Sequence, residues 1–244
     1  MKILFSPSET KNIGGDEKYL DKNSLIFNHL YEKRVEILNK YLTYIATSND
    51  ELLAKLFGTK KQQVIDEYKK DIFKKPTTKA LLRYSGVAYE YLDYSSLSKD
   101  EQGYCDANTI IFSNLFGPIG GGDLLPDYKL QQGQKLGDFT IEEFYQKEFQ
   151  ASLDELLEDE EVLDLRAGFY ERFYKIQKPY TTMKFLKDGK VVSHWAKAYR
   201  GIVLKEMAKH NIKTIKELLA LQIESLKLED IKVIKNKTQI TYSM

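Results

Sequence analysis

The sequence predicts an α+β fold in one domain, residues 1–244, a compact mixture of short strands and helices. Three observations carry that expectation. Helical and strand-like segments do not alternate regularly as in a doubly wound parallel sheet, two hairpins are expected in the C-terminal half, and no Pro/Ser/Gly-rich linker divides the chain. Lys2-Ile3-Leu4-Phe5 reads as a short buried strand ended by Pro7. A helical pattern runs from Ser24 to Ala46, clearest at Ile37, Leu38, Tyr41, Leu42 and Ile45. Ser48 and Glu51 have the spacing of a capping box, and the helix they open ends at Gly58. Val64, Ile65, Tyr68 and Ile72 mark another amphipathic helix, stopped before Pro76. Ser98/Glu101 and Thr140/Glu143 repeat the capping spacing and open two more helices. Strands are expected at Ala80–Tyr84, Thr109–Phe112, Asp127–Gln131, Val162–Ala167, Thr182–Leu186 and Val191–Ala196, the last two joined at Asp188-Gly189. The segment Met207–Thr214 joins two helices in a C-terminal helical hairpin resembling a helix-hairpin-helix in outline, without the usual Gly-x-Gly. A last hairpin is expected from Ile231 to Tyr242, turning at Asn236-Lys237.

Composition narrows the functional classes. Hydrophobic residues make up 42%, enough for a core, which excludes a disordered or collagen-like chain. The single Cys105 excludes an internal disulfide and a thiolate zinc site, and three dispersed histidines lack metal-ligand spacing, so neither a metal nor a cofactor is expected. The N-terminal apolar run is too short for a signal peptide and no stretch is long enough to span a bilayer. A cytoplasmic protein with no membrane partner and no obligate protein partner is expected. The net charge of +1 hides a segregation: Phe139–Asp164 carries ten acidic residues and one Lys, whereas Arg166–Lys216 carries thirteen basic and three acidic. Such a chain either presents a basic face to a polyanion or neutralises itself within the fold.

Four segments hold residues able to do chemistry. In Ser6-Pro7-Ser8-Glu9-Thr10-Lys11, directly after the first strand, Glu9 is a candidate general acid or base and Lys11 an anion contact; the alternative is a capped turn. Gly120-Gly121-Gly122 fits neither GxxxxGK[ST] nor GxGxxG, which favours a tight loop over a phosphate cradle. Asp164 and Arg166 share one strand face, where they pair with each other or address a ligand together. In Ser193-His194-Trp195-Ala196-Lys197-Ala198-Tyr199-Arg200-Gly201, Lys197, Arg200, Gly201 and Leu204 form one helical stripe. Two cations in a first helical turn oppose the helix dipole, a cost easier to explain if a phosphate binds there.

In order along the chain, Phe5-Ser6-Pro7-Ser8-Glu9-Thr10-Lys11, Tyr84-Ser85-Gly86-Val87-Ala88-Tyr89, Leu115-Phe116-Gly117 through Asp123, Leu125-Pro126-Asp127-Tyr128-Lys129-Leu130, Asp164-Leu165-Arg166-Ala167 and Val192-Ser193-His194 through Gly201 resemble the YaaA family of bacterial peroxide-stress-resistance proteins. The resemblance implies a cytoplasmic α+β protein, similar to one that binds double-stranded and distorted DNA through a basic cleft and limits iron-driven peroxide damage. It attaches no catalytic reaction. Members often carry a basic residue where this chain has Gly120, and some carry Lys at the position of Glu9.

Three functions are therefore in play. The first is a DNA-binding protein of the hydrogen peroxide response, partner to duplex or bubble-like DNA, with Lys11, Lys129, Arg166, Lys184, Lys197, Arg200 and Lys205 as phosphate contacts. With 32 Lys and only 5 Arg, little sequence preference is expected, because bidentate guanine readout favours Arg. The second is an enzyme acting on a nucleobase or damaged nucleotide, with Glu9, Asp164 and His194 as catalytic candidates beside Arg166 and Lys197. The third, iron sequestration, has few suitable ligands.

Overall fold

A computed structural model describes all residues 1–244. The first strand, β1 (Lys2–Phe5), is buried at Ile3, Leu4 and Phe5, side chains that alternate between the two faces, so both faces of the sheet are covered at that point. After the short β2 (Glu17–Tyr19) come α1 (Tyr31–Thr47), α2 (Asp50–Phe57) and α3 (Gln62–Tyr68). Helix α1 buries Ile37, Leu38, Tyr41 and Ile45, the one-sided stripe expected of an amphipathic helix. The cap of α2 is Asn49, whose side chain accepts from the Leu52 amide at 2.9 Å, and not Ser48; Gly58 ends the helix in the left-handed conformation at φ +62°.

Next follow β3 (Pro76–Lys79), α4 (Ala80–Arg83), α5 (Val87–Leu92), α6 (Lys99–Asn108), β4 (Thr109–Ser113), β5 (Gly117–Gly120) and β6 (Leu124–Pro126). The Ser98/Glu101 capping box is present at the start of α6, with both reciprocal bonds made. Then come α7 (Ile141–Leu157), β7 (Val162–Asp164), β8 (Tyr180–Leu186), α8 (Ser193–Lys209), α9 (Ile215–Ala220), β9 (Lys227–Ile234) and β10 (Lys237–Ser243). At α7 the Thr140 side chain makes no capping bond.

The main sheet has seven strands in the order β5-β4-β1-β7-β8-β10-β9. Its five inner strands are parallel, and β5 and β9 are antiparallel edges. A separate antiparallel sheet holds β2, β3 and β6. One continuous buried cluster extends from Ile3 to Tyr242, which makes the chain a single compact domain of mixed helix and sheet, consistent with the α+β class. The parallel run is the departure from expectation. It depends on pairings across more than 100 residues, such as Ile3 with Thr109 and with Leu163, that no local pattern announces.

Four of the expected strands need correction. Ala80–Tyr84 is mostly helix α4, which turns Arg83 inward to donate to the carbonyls of Asn12, Gly14 and Leu125. Asp127–Gln131 is not a strand; β6 ends at Pro126. The strand at Val162 stops at Asp164 because the Asp164 carboxylate folds back to accept the Arg166 amide at 3.0 Å. Val191–Ala196 is not a strand either. Val191 is exposed, and α8 instead buries Ala196, Tyr199, Val203, Leu204 and Met207 at helical spacing. Asp188-Gly189 still forms a tight turn, closed by mutual backbone bonds of Lys187 and Lys190. The last hairpin is present, its turn at Lys235-Asn236. Helices α8 and α9 are joined through His210–Thr214, but α9 has only six residues, and no glycine hairpin presents amides to a phosphate.

Candidate functional site

The order of the sheet determines where a site can form. From β1 the chain crosses to β4 on one side, whereas from β7 it continues to β8 on the other, so the adjacent strands β1 and β7 flank a topological switch point. Loops leaving the carboxyl ends of two such strands diverge and leave a crevice between them. A cleft of about 300 Å³ opens there. Its floor and walls come from Phe5–Thr10 after β1, Ala167 and Tyr170 after β7, Gly86–Tyr89 at the start of α5, Gln132, and Lys197 and Arg200 of α8.

The β1 loop is held at both ends. Ser6 accepts the Ala167 amide on its Oγ at 2.8 Å and the Tyr89 hydroxyl on its carbonyl at 2.8 Å. Thr10 Oγ1 donates to the Ser85 carbonyl at 2.9 Å, and Glu9 Oε1 accepts the Gln132 amide at 2.7 Å. Gly86 sits at φ +103°, and a Cβ there would lie 2.7 Å from Ser8 Oγ and 2.9 Å from Thr10 Oγ1. Glycine is therefore required for α5 to start against the loop. On the far side, Gly201 lets α8 pack directly on α5: a Cβ at that position would stand 2.0 Å from the Ala88 carbonyl oxygen. That contact holds Lys197 and Arg200 at the rim.

The cations in this region differ in how they are satisfied. Arg166 is buried; its Nε and Nη2 each donate to Asp164 at 2.9 Å, and its Nη1 donates to the carbonyls of Tyr170 and Tyr174. Its guanidinium also lies over the Phe112 ring, 4.5 Å from the centroid. Asp164 and Arg166 thus form an internal pair beneath the cleft. Removing one partner of such a pair leaves the other charge uncompensated, at a cost of about 3–5 kcal/mol. Arg34 and Arg83 bond backbone carbonyls, and Arg172 pairs with Glu142 at 3.7 Å. Arg200 alone among the five arginines has no hydrogen-bond or ion-pair partner, although it is half-buried in the cleft. Burial lowers its pKa while the nearby Asp164 charge acts in the opposite sense. Lys197 lines the same rim, exposed and unpaired.

The remaining candidates are dispersed. Lys11 lies behind the loop, its Nζ donating to the Ser8 carbonyl at 3.2 Å and standing 4.3 Å from the Tyr128 ring centroid; burial lowers its pKa to about 8. Lys129 lies near the Tyr68 ring, Lys184 is exposed on β8, and Lys205 pairs with Asp93 at 3.0 Å. His194 is exposed beside Trp195 and does not line the cleft. The structure therefore brings together Glu9, Lys197 and Arg200, and leaves Lys11, Lys129, Asp164, Arg166, Lys184, His194 and Lys205 outside the lining. Ser6 and Tyr89 lie in segments that the sequence marks, though without a role of their own, whereas Tyr170 and Gln132 lie in stretches with no motif to mark them. The triple-glycine loop is packed inward, with the Asp123 carboxylate accepting the amides of Gly120 and Ile26. The acidic and basic segments meet in places, through Arg172–Glu142 and through Lys178 Nζ, which donates to three carbonyls at the end of α7. Lys197 and Arg200 lie outside those contacts.

The family profile described as peroxide stress protein YaaA matches residues 1–231. The chain belongs to the YaaA family. An uncharacterised protein of Campylobacter jejuni is 49% identical over 240 residues, 98% of either chain. A UPF0246 protein of Corynebacterium glutamicum is 34% identical over 227 residues, covering 88% of this chain and 90% of its own. One from Malacoplasma penetrans is 27% identical over 231 residues, covering 89% and 91%. The YaaA match thus spans the elements that build the cleft, from the β1 loop to α8.

Proposed function

We propose that this YaaA-family protein acts in the peroxide stress response by binding DNA, duplex or locally distorted, with Lys197 and Arg200 on a phosphate at the mouth of the cleft. The observation that carries the reading is Arg200, a half-buried guanidinium facing a cleft with no protein acceptor. A buried cation without a partner is costly, and an anionic ligand relieves that cost. The cleft volume of about 300 Å³ suits one nucleotide, not a duplex. A duplex then lies across the mouth while an unpaired base enters against Pro7, Val87, Ala88 and Ala167, which favours distorted DNA over regular DNA. With Arg34, Arg83 and Arg166 bonded inside the protein and Arg172 paired with Glu142 at the surface, readout of base edges is weak.

The test is fluorescence anisotropy with bubble and duplex oligonucleotides over a range of salt. Each phosphate contact contributes about 0.7–0.9 to the slope of log affinity against log salt. Replacing both Lys197 and Arg200 by Ala is expected to weaken binding and flatten that slope by about 1.4–1.8. Binding that is insensitive to salt, or unchanged in the double variant, overturns the reading. A second reading, an enzyme acting on a nucleobase or damaged nucleotide, is favoured only by the Glu9 carboxylate in the same cleft. Glu9→Gln separates the two: it abolishes any such activity and leaves DNA affinity unchanged or slightly raised, because a negative charge near the phosphate is removed.

A further inference from the structure

Strand β9 is the outer edge of the seven-stranded sheet, and its other side carries no partner. All but one of its eight residues are exposed, among them Leu228, Ile231, Val233 and Ile234, with Val233 at 73%. A long aliphatic edge with unpaired backbone groups is a template for another strand. The hairpin turn sets which groups those are. The pair Ile234/Lys237 flanks a two-residue loop and exchanges both backbone bonds with its partner strand, and the alternation then turns the N–H and C=O groups of Ile231 and Val233 outward.

We propose that β9 pairs antiparallel with β9 of a second copy of this chain, about a two-fold axis through Ile231. Antiparallel pairing requires outward-facing groups to meet outward-facing groups, which limits the registers to a few. With Ile231 opposite its own copy, Asp230 faces Lys232 twice, and the bulge at Glu229 ends the regular register before Leu228. Centring on Lys232 or on Asp230 sets like charges opposite each other, and centring on Val233 places Lys232 against Ile234. Among these registers, only the one centred on Ile231 sets opposite charges against each other at its middle and Ile231 against its own copy, as an isologous interface demands. Asp230 and Lys232 already lie side by side on one face, 2.9 Å apart, so the two copies form a square of four alternating charges. The seven-stranded sheet becomes one of fourteen.

The test is mass by light scattering and dimer dissociation by sedimentation equilibrium on the full chain. The expected mass is twice 28.4 kDa. Ile231→Pro removes an outward N–H and spares the bonds to β10, so it is expected to give a folded monomer with unchanged circular dichroism. Asp230→Lys and Lys232→Glu singly are each expected to weaken the dimer about tenfold, because both place like charges opposite each other twice. The double swap is expected to restore it. A wild-type chain that stays monomeric, an Ile231→Pro chain that stays dimeric, or a double swap no tighter than either single variant overturns the proposal.

Discussion

Arg200 and Arg166 lie close in space and opposite in condition: one guanidinium is saturated by Asp164 and two carbonyls, the other has no protein acceptor. From spacing alone both read as cations near a strand end or a helix start. What separates them is the fold-back of the Asp164 carboxylate to the Arg166 amide, a local turn that a period-two pattern does not reveal. Glu9 is legible because it lies in the short loop after the first strand, two residues past Pro7. Gln132 is not, because its position depends on a loop from a distant part of the chain. Lys11 gives a prediction at the same scale. Its folded pKa is lowered from the usual value of 10.5 to about 8, chiefly by burial, so between those pH values the unfolded chain binds more protons than the folded one. Stability contributed at this position therefore rises with pH from 8 to 10.5 and is flat below 8. Urea unfolding of wild type and Lys11→Met across that range is expected to show the difference between them moving in favour of the wild type as pH rises. A difference independent of pH would show that Lys11 is not held in an apolar setting.

The elements that sequence reasoning placed well are those governed by neighbours in the chain. The Ser98/Glu101 box opens α6, Gly58 ends α2, and the last hairpin turns within one residue of expectation. Those governed by distant contacts were misread. Val191 and Val192 have strand-forming side chains, yet no sheet partner reaches them, and the helix after them wins by burying its own stripe against α5. The α5–α8 crossing itself depends on one missing side chain, at Gly201. Gly201→Ala is expected to cost about 1–3 kcal/mol through forced separation of the two helices. Because Lys197 and Arg200 ride on α8, the same variant is expected to weaken DNA binding under conditions where it remains folded. Thermal unfolding together with anisotropy at a temperature well below the transition measures both effects. A destabilised variant with full affinity would show that the rim does not depend on that crossing.

At the scale of the molecule, strand order matters more than strand identity. The cleft exists because β1 and β7 send their chains in opposite directions, a property of connectivity that composition does not carry. Joining two copies through β9 reverses strand direction in the partner, so the two clefts open on opposite rims of the extended sheet. If the cleft binds DNA as proposed, one dimer is expected to address two DNA segments and not one. In a bridging assay with surface-held and fluorescent oligonucleotides, wild type is expected to link the two, whereas Ile231→Pro is expected to bind each without linking them. Linking by the monomeric variant would place the second DNA site elsewhere on the chain.

The parallel neighbours of β1 also have a temporal side. Ile3, Leu4 and Phe5 are translated more than 100 residues before either Thr109–Ser113 or Val162–Asp164. At roughly 5–20 residues per second, the strand that ends up in the middle of the sheet waits on the order of ten seconds for its first neighbour. During that interval its three aliphatic and aromatic side chains are clients for whatever shelters nascent chains, and the cleft at its end is among the last features of the protein to take shape.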